Sequence, residues 1–373
     1  EISTKSLEIK NLISFIRSFE NSPELFILEK TIDKGFLIAD VKLEFDGDGK
    51  IKKNYKIDGL IKDAKLSFLK KYNIQKLDLI FEYKDNNLST KDIKFSLNNF
   101  NFLSQKISFK KVKNNFLIQG NLNHKLIDID KKNLNLYIKP LSPKLDIKSM
   151  KFISDSSFSF EINKRFKVND FQIKSEVLID EFSILNNYDL KDFFPEIRKN
   201  VLFLNNKLSI NYKKNHFNMN GKGDILLQDK KDNLQFTINK KNGLLNFKSS
   251  LKIKDNPFFI DFLNYEKGEK AETHIQYEGS QNLKNETIIK KLSLNEAKNE
   301  IELRNLVLNK KLEITKLDSL NLDYIDREKQ KNQLNLHKKK NLYYLKGSYF
   351  NANKLIDDLL FDEEENKKIF NIN

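Results

Sequence analysis

The side chains best suited to metal binding or general base chemistry are four histidines, and they stand apart from one another. His124, His216, His274 and His337 each lie among polar strand or turn residues, and no HxH or HxxxH pair occurs. A zinc site needs several ligands at close spacing, and the absence of cysteine removes thiolate ligands and disulfides. The sequence therefore predicts no metal site and no cofactor.

The segment DGDGK at 46–50 is similar to the start of a calcium-binding loop. Such a loop needs acidic side chains at its fifth and twelfth positions, where this sequence has Lys50 and Ile57. Glycine and aspartate are also typical turn residues. We therefore predict a tight hairpin turn between Phe45 and Ile51.

Motifs of nucleophilic and phosphate chemistry are missing. There is no GxSxG elbow, and GKGD at 221–224 lacks the spacing of a phosphate-binding loop. A pair of carboxylates for acid–base chemistry cannot be identified among 52 acidic residues without geometry. We predict that the protein is not an enzyme, with a hydrolase that uses such a pair as the alternative.

The net charge of +15 raises the question of an anionic partner. A basic face binds nucleic acid through its phosphates, but the lysines here are scattered along the chain. The arginines, which suit phosphate recognition better, are only Arg17, Arg165, Arg198, Arg304 and Arg327. We predict a solvated surface and no nucleic-acid partner, with a membrane surface as the alternative.

The elements that would position any site are strands, because apolar residues alternate with polar ones along most of the chain. Polar connections at 83–87, 212–216 and 326–333 suit hairpins, and no regular alternation of strands with helices occurs. The sequence thus predicts a mostly β protein with an antiparallel sheet. The clearest apolar faces are Ile51, Tyr55, Ile57 and Ile61 with Gly59; Leu77, Leu79, Phe81 and Tyr83; Ile93, Phe95 and Leu97; and Leu134, Leu136 and Ile138.

Three segments have helical periodicity, at 6–20, 187–200 and 351–361. We expect Ser6 to cap the first, Pro23 to follow its end, and its apolar stripe to pack against the sheet instead of a membrane. The second is expected to be short and broken around Pro195. We predict a module at 1–185 and another at 186–373 that ends in the helix 351–361, with one continuous sheet as the alternative.

Three short helices cannot cover the apolar face of so many strands. Two arrangements solve this problem. The sheet folds onto itself as a closed sandwich, or it curls into a trough whose apolar inner wall is available to a ligand. The sequence is compatible with both.

A strand pattern of aromatic, any, apolar, polar and glycine residues recurs along the chain. It reads YKIDG at 55–59, FLIQG at 116–120, FNMNG at 217–221 and YYLKG at 343–347, with a looser copy at 275–279. A glycine within a strand permits a bend or the close approach of another group. We therefore predict that the sheet bends at Gly59, Gly120, Gly221 and Gly347.

These glycine-bearing strands, together with the closing segment GSYFNANKLIDDLL at 347–360, resemble the AsmA-like (TamB-like) repeat proteins of the Gram-negative cell envelope. The resemblance implies a long, curled antiparallel β-sheet with a hydrophobic inner groove and a few short helices. It also implies a periplasmic location, an inner-membrane anchor outside this chain, and transfer of phospholipid between the inner and outer membranes, whose components would be partners.

We accordingly predict that the apolar faces hold or conduct phospholipid acyl chains. The alternative is a closed β-sandwich of structural or adhesin type, in which the same side chains form an ordinary core. The predicted groove residues are Tyr55, Ile57, Leu77, Leu79, Phe81, Ile93, Phe95, Leu97, Phe116, Ile118, Leu208, Ile210, Phe217, Met219, Leu345 and Tyr349.

Overall fold

The computed structural model describes most of the chain, and strands dominate it. The described residues are 1–373 without 20–22, 51, 53–54, 69–71, 86, 98–99, 114, 132–133, 135–145, 164, 166, 284–285, 312, 341, 355 and 357–373. The predicted mostly β class and antiparallel sheet are confirmed. Most of the predicted strand around 134–138 and of the predicted helix 351–361 lies outside the described residues.

The chain forms two compact units. Unit 1 comprises Glu1–Ile127, Phe152–Leu178 and Ser209–Lys214, and unit 2 comprises Asp128–Lys151, Ile179–Leu208 and Asn215–Asn373. The predicted division between residues 185 and 186 stays a prediction.

The elements up to Asn123 belong to unit 1, and each of the strands β9 to β12 has residues in both units. They are β1 (Ile2–Ser3), β2 (Leu7–Glu8), α1 (Ile9–Arg17), α2 (Pro23–Thr31), β3 (Ile32–Lys42), β4 (Lys56–Phe68), β5 (Tyr72–Lys84), β6 (Asn87–Leu97), β7 (Phe100–Val112), β8 (Asn115–Asn123), β9 (Ile127–Asp130), β10 (Ile147–Asn163), β11 (Val168–Leu185) and β12 (Asn200–Lys213).

The elements from His216 onward belong to unit 2. They are β13 (His216–Leu226), β14 (Asp232–Lys241), β15 (Leu244–Ile253), β16 (Phe259–Ile260), a 3-10 helix (Asp261–Leu263), β17 (Tyr265–Glu266), β18 (Thr273–Gln281), β19 (Thr287–Glu296), β20 (Asn299–Leu308), β21 (Ile314–Lys316), β22 (Ser319–Ile325), β23 (Lys331–Lys339) and β24 (Leu342–Tyr349).

Strands pair with their neighbours in chain order and antiparallel, as short hairpin connections require. In unit 1, β3 to β8 form such a series, which β10 continues by pairing with β8. In unit 2 the series runs β13, β14, β15, β18, β19, β20, β22, β23 and β24. The chain between β15 and β18 leaves this sheet and forms the separate hairpin of β16 and β17.

Helix α1 covers one end of the apolar face of unit 1. Ile9 and Ile13, one helical turn apart, are buried against Ala64 of β4, and Leu77 of β5 packs against this cluster. The prediction that this helix packs on the sheet is therefore confirmed. The expected cap at Ser6 is wrong, because residues 7–8 pair with β3 as a strand and the helix begins only at Ile9.

Pro23 follows the end of α1, as predicted, and it also begins α2, which fits the preference of proline for the first helical position. The prediction of a short helix within 187–200 is wrong, because residues 187–199 form turns and Asn200 begins β12. The carbonyl of Phe193 accepts a hydrogen bond from the backbone N–H of Phe259 at 3.0 Å, so a contact distant in sequence replaces a helical bond.

The turn predicted within 45–51 is observed. The backbone N–H of Asp46 donates to the carbonyl of Lys50 at 2.9 Å, and the carboxylate of Asp46 accepts from the N–H groups of Asp48 and Lys50 at 3.0 and 2.9 Å. This carboxylate therefore stabilises a turn.

Candidate functional site

An apolar cavity lies under a cap in unit 2. The cap consists of two connections, 186–199 and 254–272, which are joined by the backbone hydrogen bond between Phe259 and Phe193. The second connection contains the run NPFFIDFLNY at 256–265, whose consecutive apolar residues lack the period of two that a strand of the large sheet would need. The run turns back on itself through the 3-10 helix and Asn264, which has a left-handed conformation (φ 52°).

The cavity has a volume of about 450 Å³, within the range of roughly 300–1,000 Å³ typical of ligand pockets. Phe262 stands at its rim and is 42% exposed. Every lining residue is aliphatic or aromatic. The lining comprises Phe193, Phe194, Phe258, Ile260, Phe262 and Leu263 from the cap and Leu251, Ile275, Leu292, Leu294, Ile301, Leu303, Leu320 and Leu322 from the sheet.

The sheet side of the cavity is built from residues that face each other across neighbouring strands. Directly opposed side chains in a sheet point to the same face. One such row runs Leu251, Ile275, Leu294, Ile301 and Leu322, from β15 to β22. A second row runs Leu292, Leu303 and Leu320.

Two buried tyrosines fasten the cap above β19 and β22. The hydroxyl of Tyr324 donates to the carbonyl of Leu263 at 2.8 Å, and its ring packs edge-on against Tyr265 at 5.8 Å. Burial raises the pKa of both tyrosines, and the Glu296 carboxylate adds to the increase for Tyr265. Both phenols are therefore neutral donors at physiological pH.

Glu296, at the end of β19, is the main polar anchor of the cap. Its buried carboxylate accepts hydrogen bonds from the hydroxyl of Tyr265, from the hydroxyl of Thr273 at 3.1 Å and from the backbone N–H of Gly268 at 3.0 Å. These three donors come from the cap and from the strand that follows it. The carboxylate thus connects the end of the sheet to the cap.

A second anchor holds the start of the connection 254–272. The side-chain amide of Asn256 donates to the carbonyl of Lys230 at 2.7 Å and to the carboxylate of Asp232 at 2.8 Å. Gln228, also fully buried, donates to the carbonyl of Pro257 at 2.8 Å. These amides replace the backbone pairing that the chain loses where it leaves the sheet.

Asp232, at this anchor, is an acidic residue in a buried position. It is only 2% exposed, and its Oδ1 atom has no hydrogen-bond partner among the described residues. Burial raises the pKa of this carboxyl from 3.8 to about 6, and the hydrogen bond from Asn256 opposes the increase only in part. At neutral pH the anchor therefore holds a buried carboxylate.

We expect Asp232→Asn to be more favourable to stability at pH 7 than at pH 4 by about 2–3 kcal/mol. At every pH, the new amide N–H at the position of Oδ1, which has no partner among the described residues, offsets part of this gain by about 1–3 kcal/mol. Because the pKa of the carboxyl is higher in the folded protein, the folded protein retains a proton that the unfolded chain loses between about pH 4 and pH 6. The stability that this proton contributes falls as pH rises through that window. Urea denaturation of both proteins across this range should show the variant's advantage shrinking toward pH 4. A pH-independent difference, or an equal effect of the exposed control Asp255→Asn, would contradict this explanation.

A third anchor lies at the turn after β22. Arg327 forms ion pairs with Asp261 at 3.0 Å and Glu266 at 3.4 Å, and its guanidinium lies 4.5 Å from the ring centre of Phe259. Its backbone N–H donates to the carbonyl of Asn264 at 2.9 Å. All four partners belong to the cap, so the cap is held on several sides.

The predicted groove residues do not line this cavity. In unit 1, Phe81 lies opposite Gly59, Phe95 stacks on Phe102 at 5.5 Å, and Leu77 packs against the α1 cluster. Ile93 and Ile118 are buried. Tyr55, Ile57, Leu79, Leu97, Leu208, Ile210, Phe217 and Met219 are half-buried, whereas Phe116, Leu345 and Tyr349 are exposed.

None of the residues that line the cavity was predicted, although those on the sheet side could have been recognised from the sequence by their alternation of apolar and polar residues. Leu292 with Leu294, Ile301 with Leu303, and Leu320 with Leu322 have the same alternation as the predicted strands. The cap residues had no such signal, because their partners lie far away in the sequence.

The glycines of the recurring strand pattern accommodate side chains from neighbouring strands. The ring of Phe236 lies directly over Gly221, where a Cβ atom would also lie 2.9 Å from Leu208. Gly59 lies under Phe81 in the same way, and Gly279 lies under Phe247. Gly347 lies beside the register shift between Gln333 and Leu334, and Gly120 faces Ile107. Bending of the sheet at these glycines stays a prediction.

We expect Gly221→Val to destabilise the protein by about 1–3 kcal/mol, because the added side chain must displace the ring of Phe236. Gly47→Val is the matched control, since nothing lies within 4 Å of a Cβ atom there. Thermal denaturation followed by circular dichroism measures both. Equal midpoints for the two variants would show that the close approach at Gly221 is unimportant.

Other kinds of site find no support in the part of the chain that the structure describes. No cluster of three or more histidine, aspartate or glutamate side chains there could hold a metal ion. His124 is buried between Phe102 and Phe152 and shares a hydrogen bond with Ser154. Among the described helices, none combines the length and apolar character needed to cross a bilayer.

Comparison with protein-family models, curated proteins and solved structures finds no match to this chain. The resemblance to the AsmA-like proteins therefore stays a prediction.

Proposed function

We propose that unit 2 binds the acyl chain of a phospholipid in the capped cavity. The observation that carries this proposal is the composition of the lining, which contains only aliphatic and aromatic side chains over about 450 Å³. A ligand with polar groups would lose hydrogen bonds there without compensation. A flexible hydrocarbon chain gains about 0.8 kcal/mol for each methylene group that leaves water.

The rim of the cavity suits the other end of such a molecule. Phe262 is partly exposed there, and Asp261 beside it pairs with Arg327 and with Lys354 at 3.0 and 3.3 Å. An acyl chain would occupy the apolar interior while its polar head group stays at this charged, solvated edge. The amphipathic nature of a phospholipid fits this separation.

We further propose that the chain is a segment of an AsmA-like envelope protein that conducts phospholipid between the inner and outer membranes. This step rests on the resemblance of the glycine-bearing strands. On this proposal, the protein is periplasmic, its inner-membrane anchor lies outside this chain, and the half-buried apolar residues of unit 1 also contact acyl chains. The confirmed antiparallel sheet is compatible with this role.

The direct test is to purify the chain in mild detergent and identify bound lipid by native mass spectrometry. We expect phospholipid to be retained. A folded protein that never carries lipid would contradict the proposal and favour the structural or adhesin alternative.

A reporter within the site makes this test specific. The chain contains no tryptophan, so Phe262→Trp places a single tryptophan at the rim of the cavity, and its emission can be excited selectively over that of the tyrosines. Addition of a fatty acid below its micelle concentration should shift its emission to the blue. Tyr188→Trp, at an exposed position of the connection 186–199, is the control and should not respond. An equal response of both reporters would indicate binding elsewhere.

A further inference from the structure

Four turns of unit 2 lie at the end of the sheet opposite the cap, and we name them the lysine rim. They are 240–244, 282–286, 309–314 and 338–343, which connect β14 to β15, β18 to β19, β20 to β21 and β23 to β24. Because consecutive strands are antiparallel, alternate connections reach the same end. The side chain of Leu283 lies directly against Gly243, so the turns 240–244 and 282–286 are in contact.

Each turn of the lysine rim contains an exposed apolar side chain or is followed directly by one. Leu283 is 80% exposed and Leu342 64% exposed, and Leu244, Ile314 and Tyr343 are exposed as well. A single exposed leucine is ordinary. Here Leu283 lies within its turn, and Leu244, Ile314 and Leu342 are the first residues of the strands that follow theirs, so an exposed apolar side chain recurs at each of the four connections.

Lysines accompany these apolar side chains. Lys240, Lys241, Lys310, Lys311, Lys339 and Lys340 form no ion pair with another described residue. The described acidic side chains of the turns, Glu286 and Glu313, instead accept hydrogen bonds from Asn282 and Asn309 within their own turns at 2.9 and 2.6 Å.

The cap end of unit 2 has a different balance of charge. There, acidic residues alternate with basic ones, and Arg198 and Arg327 are paired with Asp229 and Asp261 at 3.2 and 3.0 Å. The four turns of the lysine rim contain eight lysines and two glutamates, whereas the cap connections 186–199 and 254–272 contain six basic and eight acidic residues. An excess of positive charge is therefore a property of one end of this sheet.

We propose that the lysine rim docks on the surface of an anionic phospholipid bilayer. Lysine near such a surface is attracted to lipid phosphates, and each one strengthens binding roughly fivefold. The leucine and tyrosine side chains enter the boundary between head groups and acyl chains, where such residues are favoured. A nucleic acid or an acidic protein would bind the lysines but leave the exposed apolar side chains of the rim in water. This inference goes beyond the proposed cavity ligand and does not depend on it.

Flotation with vesicles tests the proposal on the whole chain. Wild-type protein should float with vesicles of phosphatidylcholine and phosphatidylglycerol in equal parts, less so at high salt, and not with phosphatidylcholine alone. The variant K241Q/K311Q/K339Q/K340Q should bind the anionic vesicles at least tenfold more weakly. The matched control K254Q/K270Q/K298Q/K329Q removes the same number of exposed lysines from the opposite end and should retain binding.

Two results would overturn the proposal. One is a wild-type protein that does not bind anionic vesicles, and the other is equal weakening by both variants, which would indicate attraction by net charge alone. Binding of the wild type to an acidic polypeptide but not to vesicles would instead assign the rim to a protein partner.

A fluorescence measurement tests the same proposal through a signal that appears on binding, so it does not rely on a variant that binds less. Leu342→Trp places the only tryptophan of the chain on the rim, and its emission should shift to the blue with anionic vesicles. Tyr188→Trp on the cap should not shift. A response of the cap reporter alone would show that the molecule binds vesicles by its other end. Since the cavity is tested with soluble fatty acid and the rim with vesicles, either proposal can fail without the other.

Discussion

Replacing Leu292 and Leu303 together by tryptophan should weaken phospholipid binding by roughly a hundredfold. The two leucines lie directly opposite each other on β19 and β20 and line the cavity. The indole rings would take up part of the cavity and displace about four methylene groups of a bound acyl chain, at about 0.8 kcal/mol each. A loss of about 3 kcal/mol corresponds to a change in Kd of about a hundredfold.

Displacement of a fluorescent fatty acid measures this effect, and native mass spectrometry should show less retained lipid. The fold should survive, because the rings enter space that is already apolar. The matched control is Asn321→Trp with Asn335→Trp, an opposed pair on the polar side of β22 and β23. If the leucine variant binds as well as the control, the acyl chain does not occupy this cavity.

Glu296→Ala should release the cap and lower the free energy of unfolding by about 3–5 kcal/mol. The change leaves the buried hydroxyls of Tyr265 and Thr273 and the N–H of Gly268 without their acceptor. Chemical denaturation measures the overall loss. Amide hydrogen exchange should show faster exchange in the cap, for example at Lys267, whose N–H donates to the carbonyl of Phe258 at 2.9 Å.

Glu296→Gln is the informative comparison for this prediction. Its side-chain carbonyl can still accept the hydrogen bond from Gly268, so we expect a smaller loss of about 1–2 kcal/mol. Glu300→Ala, on an exposed position of β20, should change neither stability nor exchange. If Glu296→Ala behaves like Glu300→Ala, the carboxylate is not an anchor of the cap.

The strands were predictable because their signal is local. Side chains alternate between the two faces of a strand, so the spacing of Leu77, Leu79 and Phe81 already fixes their common face. The helix predictions were less successful. Ser6 does not cap the first helix, because residues 7–8 pair with β3. In 187–200, the carbonyl of Phe193 accepts a hydrogen bond from Phe259 of the other cap connection, and no helix forms. In both places tertiary pairing overrides local preference.

The sequence did not predict which residues come together to form the cavity. The alternation of Leu292 with Leu294 and of Ile301 with Leu303 marks an apolar face, but it does not indicate what covers that face. The covering run at 256–265 has no strand period, and its partners Phe193, Glu296 and Tyr324 lie far from it in sequence.

By itself, the sequence determined the class of fold: amphipathic strands, short polar connections and an antiparallel sheet, because each follows from the local order of apolar and polar residues. The tertiary structure alone decided which part of the apolar face is closed over and where the cavity lies. The physical reason is that burial depends on contacts between distant segments. Glu296 and Tyr265 anchor the cap through a hydrogen bond between positions 31 residues apart, and no local pattern specifies that pairing.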